Sequence, residues 1–189
     1  MSGVPWKQVL PEYTLTTSEV AIAQIIAASN HATMITSVLL EFDDNAETLT
    51  KVGQITLLFH ADGGTTPVAG NPFITDDSTE TIQTTGSKSW AADPTHGNII
   101  VRKNFKMSAN TQPVSFTFSD RVKSPTTSGN SYTGPPLKIP GGSSFGVEIF
   151  GPAGVSASTC LLTIVGHERK APFPARHLMR IMNRLFMGH

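Results

Sequence analysis

The chain has 189 residues, of which 15% are charged, with a formal net charge of zero and one cysteine, Cys160. A single cysteine excludes a disulfide framework and a cysteine-based zinc site, and we expect this thiol to be buried in the core. Sixteen glycines, thirteen prolines and few charges are typical of short strands joined by loops, not of helix bundles.

Two features of the chain bear on its location. Residues 1–8 lack the basic start and apolar stretch of a signal peptide, and no segment approaches the roughly 18 apolar residues of a membrane span. We therefore expect a protein made in the cytoplasm.

The charge is distributed unevenly along the chain. Residues 1–168 contain nine basic and fourteen acidic residues, which gives them a net charge of −5, whereas five basic residues give 169–189 a charge of +5. A negative body is a poor general surface for nucleic acid.

The N-terminal part begins with a segment of no clear periodicity. Residues 1–11 contain two prolines, and they are predicted to form an extended arm. Residues 12–168 are predicted to form one β-sandwich domain. Within it, residues 20–28 fit a short helix or a buried strand, and their β-branched residues favour the strand. Residues 61–98 are predicted to be mostly loop.

The second half of this domain shows the clearest strand pattern. Val114, Phe116 and Phe118 alternate with hydroxyl residues, as expected of a strand with one buried face. Residues 144–150 alternate in the same way, and residues 156–166 are predicted to form a long buried strand. The whole domain is predicted to be all-β, with about eight strands in an antiparallel sandwich or barrel.

A different kind of element is predicted at the C-terminus. Residues 169–189 read as a proline-containing linker followed by an amphipathic helix over residues 175–187. The apolar face of this helix is formed by Leu178, Met179, Ile181, Met182, Leu185 and Phe186. An arginine stripe on the opposite face is formed by Arg176, Arg180 and Arg184.

A helix of this length is only marginally stable alone in water, so it needs a surface to lie on. The favoured surface is its own domain or a neighbouring subunit, because apolar helical stripes are usually packing faces. An anionic membrane is the second alternative, since an arginine face opposite Met, Leu and Phe suits one. Phosphates of packaged nucleic acid are the third.

The sequence contains no convincing catalytic set. Nucleophile-elbow, phosphate-loop, dinucleotide and zinc-protease motifs are all missing, so we expect a protein that is not an enzyme and has no cofactor. His60 and Asp62 would offer two metal ligands at a strand end, but a polar cap is the favoured interpretation. The acidic pairs at 43–44 and 76–77 lack calcium-loop spacing and read as solvated turns. No metal site is predicted.

Aromatic residues give the alternative function. Trp90 and Tyr132 lie in or next to predicted loops, where exposed rings would stack on a sugar or anchor a partner. The sequence is therefore also compatible with a carbohydrate-binding or receptor-binding β-sandwich module, of the kind found in adhesins and tail proteins.

Two segments carry a resemblance to a known group. The run PLKIPGGSSFGVEIFGPAGVSASTCLLTIVGHE resembles the end of small jelly-roll proteins from bacteriophage particles, and TLTTSEVAIAQIIAASNHATMITSVLLEFDD resembles their opening. The resemblance implies a single jelly roll of eight strands that assembles with itself and with other virion proteins. It also implies a place in the virion, as a capsid, capsid-decorating or other structural part.

Overall fold

The computed structural model describes residues 3–42, 51–75, 81–107, 112–151 and 159–170, and every regular element within these ranges is a β-strand. The fourteen strands, in chain order, are β1 (Val4–Val9), β2 (Tyr13–Thr14), β3 (Val20–Ile26), β4 (His31–Phe42), β5 (Lys51–His60), β6 (Val68–Ala69), β7 (Thr85–Ser89), β8 (His96–Met107), β9 (Val114–Phe118), β10 (Thr126–Ser128), β11 (Ser131–Gly134), β12 (Leu137–Ile139), β13 (Ser144–Phe150) and β14 (Thr159–Lys170).

The strands form two sheets, so the prediction of an all-β sandwich is confirmed. Sheet A has the order β1-β14-β4-β9-β11-β10, with β12 also paired to β4 and β2 to β14. Sheet B has the order β6-β7-β3-β13-β5-β8. Neighbouring strands are antiparallel throughout, except that β9 and β11 are parallel. The strand count exceeds the predicted eight by six short strands, namely β6, β7, β10 and β11 in the segments 61–98 and 120–135, together with β2 and β12.

One apolar core lies between the sheets. Phe145, Val147 and Ile149 of β13 point into it from sheet B, and Val114 and Phe116 of β9 point into it from sheet A. These are the residues whose alternation predicted half-buried strands, and all five are at most 1% exposed. Burying each side chain of this size contributes about 1.5–3 kcal/mol. The interpretation of residues 20–28 as a strand is also confirmed, by β3.

The predicted N-terminal arm is wrong for residues 4–9. These residues form β1 and pair with β14 along their whole length. Trp6 is 2% exposed and packs edge-to-face on Phe73, with ring centroids 4.8 Å apart. Trp6, Gln8 and Leu10 are all buried, which is the period of two of a strand. Pro5 obscured that period, although an edge strand tolerates proline.

The predicted boundary at residue 168 is also corrected, because β14 continues through Arg169 and Lys170, which pair with Ala32 and His31. The predicted helix over 175–187, with its apolar face and arginine stripe, lies outside the described residues.

Lys103 ties one edge of sheet B to sheet A. Its side chain leaves β8 and its Nζ donates a hydrogen bond to the Gly129 carbonyl oxygen at 2.7 Å, in the turn between β10 and β11. Burial lowers the pKa of Lys103 because desolvation disfavours the ammonium form. The interaction closes one side of the sandwich next to the exposed outer face of β8.

Candidate functional site

The outer face of sheet B carries a cluster of polar side chains that is partly buried. Glu148 lies on β13 between the core residues Val147 and Ile149, so its side chain points away from the core. Its cross-strand neighbours are Ala21 on β3 and Thr56 on β5. Although it is on the outside of the sheet, Glu148 is only 2% exposed.

His60 is the first partner of Glu148. The His60 side chain is fully buried, and its Nε2 lies 3.1 Å from Glu148 Oε1. On the other side of the ring, Gln24 Nε2 lies 3.1 Å from His60 Nδ1 and also donates to the Asp62 carbonyl oxygen at 2.8 Å. Since the amide nitrogen can only donate, Nδ1 is the acceptor and Nε2–H donates to Glu148 in a neutral ring.

A glycine makes room for this ring. A Cβ at Gly146 would lie 2.1 Å from Cε1 and 2.3 Å from Nε2 of His60. The imidazole therefore lies directly on the β13 backbone, in the space that any other residue would fill. Glycine at 146 is thus a condition for the contact between His60 and Glu148.

Two further groups surround the second carboxylate oxygen of Glu148. His96 on β8 is the cross-strand partner of His60, and its Nε2 lies 2.9 Å from Glu148 Oε2. Glu19, just before β3, brings its carboxylate to the same point. Ligand atoms of Glu19, His96 and Glu148 all lie within 4.8 Å of one another. His96 is about half exposed, so this end of the cluster opens to solvent.

Glu19 is held by two donors. Thr56 Oγ1 donates to Glu19 Oε1 at 2.9 Å, and Arg102 Nη2 lies 3.7 Å from the same oxygen. Arg102 Nε in turn donates to Thr56 Oγ1 at 3.2 Å. With both carboxylates ionised, one guanidinium leaves the cluster with a net charge of −1.

Asp62 connects the loop that follows β5 with the residue that precedes β8. Its carboxylate accepts hydrogen bonds from Gly64 N at 3.0 Å and from Thr95 N and Oγ1 at 2.9 and 2.5 Å. These bonds, with that from the Thr95 hydroxyl the strongest, lower the pKa of Asp62 to about 2. Asp62 and His60 do not form a ligand pair. The Asp62 carboxylate accepts hydrogen bonds from Gly64 and Thr95, whereas the His60 ring contacts Glu148. The favoured interpretation of His60 as a polar cap of its strand is also corrected, because its ring is buried against Glu148.

The aromatic residues proposed for sugar stacking do not lie together. Trp90 follows β7 in sheet B, is half-buried, and has Cδ1 within 2.6 Å of a Cβ built on Gly64. Tyr132 belongs to β11 in sheet A and packs on Phe116 and Phe118, with ring centroids 5.9 and 6.0 Å apart. Tyr132 lies in a strand of sheet A and Trp90 follows a strand of sheet B, and stacking by either ring stays a prediction.

A second buried carboxylate lies in sheet A. Glu168 on β14 is 3% exposed and faces His31, whose Nε2 is 3.8 Å from Glu168 Oε1. Gln83 N donates to Oε1 at 3.1 Å, and Thr84 donates to Oε2 through both its backbone N–H and its hydroxyl. Both oxygens of Glu168 are therefore satisfied by the segment that precedes β7.

Two cavities adjoin the Glu148 cluster. A cavity of about 500 Å³ is lined by His60, Asp62 and Ser144, next to the turn that precedes β13. A smaller one, of about 300 Å³, is lined by Glu19, Gln54, Asn104 and Phe150, near the other end of β5. The cluster thus lies between two solvent-accessible recesses of sheet B.

Sequence reasoning missed Glu148, Glu19 and Gln24. The usable signal was a lone polar residue inside an apolar run, namely Gln24 in VAIAQIIAA and Glu148 in GVEIF. A polar residue there points either to solvent or to a buried hydrogen-bond partner.

The sequence matches no protein-family model and none of the curated proteins with which it was compared. Among the described residues, no helix has the length and apolar character needed to cross a membrane.

Proposed function

We propose that the chain is a structural subunit of a bacteriophage virion, a capsid or capsid-associated decoration protein whose body is a single jelly roll. The proposal is carried by the order of eight strands. β1, β14, β4 and β9 are neighbours in sheet A, and β3, β13, β5 and β8 are neighbours in sheet B. Numbered along the chain, these strands are ordered 1-8-3-6 and 2-7-4-5, and this order supports the proposal of a jelly roll.

The path between the sheets supports the same interpretation. The chain passes from β1 in sheet A to β3 in sheet B, back to β4, and across again to β5. After the neighbouring strands β5 and β8 it crosses to β9, to β13 and finally to β14. All six neighbour pairs of these eight strands are antiparallel. Double-sheet jelly rolls of eight strands are common in viral capsid proteins, and also in lectin domains.

The edges of sheet B suit contacts between subunits. β8 is a twelve-residue edge strand and β6 lies at the opposite edge. Ile99 on β8 and Val68 on β6 are each 49% exposed. Apolar side chains at both edges of one sheet would be buried if subunits met edge to edge, and such contacts build symmetric shells. The predicted C-terminal helix would add a second contact.

Assembly of the purified protein tests this function. Full-length protein is expected to form symmetric oligomers or shells by light scattering and negative-stain electron microscopy. Deletion of residues 171–189 is expected to abolish them, because it removes the predicted helix that would dock on a neighbouring subunit. In purified phage particles, mass spectrometry is expected to count many copies of the chain per particle.

A matched variant separates docking from charge. Replacement of Arg176, Arg180 and Arg184 by Gln keeps the apolar face and is expected to preserve assembly, while salt-sensitive binding to anionic vesicles or DNA would fall. A chain that stays monomeric at all concentrations, is absent from particles and binds one glycan on an array would contradict the virion function. That result would favour the carbohydrate-binding alternative.

A further inference from the structure

We propose that Glu19, His96 and Glu148 bind one divalent transition-metal ion of the zinc class on the outer face of sheet B. The inference is independent of the virion function, since a metal site of this kind would be compatible with any role of the domain. It goes beyond the sequence, which predicted no metal site.

The first support is an unsatisfied oxygen. Glu148 Oε2 is buried and accepts no hydrogen bond, although His96 Nε2 is only 2.9 Å away, because the two groups do not have hydrogen-bond geometry. A buried polar atom without a partner is costly, and in native proteins it usually indicates a role beyond packing. A cation bonded to Glu148 Oε2 and His96 Nε2 would satisfy this oxygen.

The second support is the ligand set. Two carboxylates and one imidazole converge with all three ligand atoms inside 4.8 Å. Zinc ligands stand about 2.0–2.2 Å from the ion, so three of them in tetrahedral positions are about 3.4 Å apart. His96 is half exposed, and the Glu19 side chain is partly exposed and held at Oε1 by Thr56 and Arg102, so the outward shift to this spacing falls mainly on His96 while buried Glu148 stays fixed. The open side would leave room for water as a fourth ligand.

The third support is the orientation of Glu148 by a positioning residue. His60 Nε2–H donates to Oε1, and Gln24 fixes the tautomer of that ring from behind. The result is that Oε2 is turned toward His96 and Glu19. Ligating carboxylates in metal sites are commonly held in this way by a hydrogen bond to the oxygen that does not bind the metal.

The charges around the site also favour a cation. Arg102 opposes a cation, since its Nη2 lies 3.7 Å from Glu19 Oε1, but its side chain is 42% exposed and bonded to Thr56, so solvent screens its charge. The two carboxylates together outweigh it. An imidazole ligand favours zinc, cobalt, nickel or copper over the magnesium and calcium ions that prefer all-oxygen sites. A bound ion would link the approach to β3 with β13 and β8.

The test uses full-length protein without an affinity tag, stripped with EDTA and dialysed. Zinc chloride at about 100 times its dissociation constant is expected to raise the melting temperature by about 5–10 °C. Titration calorimetry is expected to give one ion per chain at this site, whereas magnesium or calcium chloride at the same concentration would cause no comparable shift.

Variants locate the ion. H96A is expected to lose the zinc shift, and since His96 is half exposed the variant should fold, which circular dichroism checks. E148Q is expected to lose it as well. H31A is the matched control, because His31 faces the fully satisfied Glu168, and it should keep the whole shift. The proposal is overturned if zinc does not raise the melting temperature of wild type, if H96A keeps the zinc-induced rise, or if calcium causes the same rise in wild type and in H96A.

Discussion

Two buried glutamates, one in each sheet, illustrate how differently a fold can use the same side chain. Glu148 and Glu168 are both at most 3% exposed, and each faces a histidine. Backbone and hydroxyl donors from residues 83–84 satisfy both oxygens of Glu168. Glu148 has one oxygen held by His60 and one without a hydrogen-bond partner. Glu168 therefore fastens a loop to β14, whereas Glu148 has an oxygen available for a ligand.

The largest effect is expected from removing Glu168. E168A would leave the N–H groups of Gln83 and Thr84 without their acceptor, and we expect the free energy of unfolding to fall by about 3 kcal/mol. Urea denaturation followed by circular dichroism measures it. H31A is the control for the histidine alone and should cost much less, since His31 stands 3.8 Å from the carboxylate. An E168A variant as stable as wild type would remove the structural role of this residue.

A somewhat smaller effect is expected below the His60 ring. G146A places a methyl group where the imidazole lies, and displacing a buried, hydrogen-bonded ring is expected to cost about 1–3 kcal/mol. G63A is the control, because a Cβ at Gly63 would meet no atom within 4 Å, and its effect should stay within about 0.5 kcal/mol. Equal stability of the two variants by chemical denaturation would mean that His60 is not held against β13.

The two glutamates should differ most clearly when each loses its charge and keeps its shape. In metal-free protein E148Q is expected to change the free energy of unfolding by less than about 1 kcal/mol, because the amide oxygen still accepts from His60 and the buried charge is gone.

E168Q is expected to cost about 2 kcal/mol, since an amide nitrogen would replace one of two oxygens that accept hydrogen bonds. Thermal and urea denaturation of both variants side by side measure the difference. If E148Q proves to be the more damaging substitution, the roles assigned to the two residues are reversed.

The smallest effect concerns the loop beside Glu148 and depends on pH. The pKa of Asp62 is lowered from 3.8 to about 2, so its carboxylate stabilises the fold above pH 4, and that contribution is lost as the pH falls toward 2. D62A is therefore expected to be slightly less stable than wild type at neutral pH, with the gap closing in acid.

Carboxyl NMR titration checks the cause of this shift directly. T95V removes the hydroxyl that contributes most to it and should return the pKa of Asp62 part of the way toward 3.8. A wild-type Asp62 that titrates near 3.8 would contradict the hydrogen bonds described for this loop.

The sequence predicts the inner faces of the central strands, but neither the edge strand β1 nor the Glu148 cluster. The inner faces of β9 and β13 were predictable because their apolar side chains alternate strictly. The edge strand β1 was not, since Pro5 obscured the alternation of Trp6, Gln8 and Leu10. The Glu148 cluster was not predictable either. Gln24 and Glu148 are single polar residues inside apolar runs, and nothing local shows that the loops containing Asp62 and Asp93 accept hydrogen bonds from Gln24 and Ala21 of β3 and so cover part of the outer face of sheet B.

The Glu148 cluster could not be predicted because long-range strand pairing brings its residues together. His60 and His96 are 36 positions apart in the chain and become neighbours only through the register of β5 and β8. Glu148 joins them from β13, and Glu19 from the segment before β3. Residue spacing in the sequence does not indicate such a site. In the ligand pair suggested by spacing, the His60 ring contacts Glu148, whereas the Asp62 carboxylate accepts hydrogen bonds from Gly64 and Thr95.

The most direct measurement is anomalous X-ray diffraction from zinc-soaked crystals of the full-length protein, with data collected on both sides of the zinc absorption edge. We expect one anomalous peak about 2.0–2.2 Å from Glu148 Oε2 and His96 Nε2, and none beside Glu168. A map with no peak at Glu148, or with equal peaks at both glutamates, would contradict the distinction drawn between them.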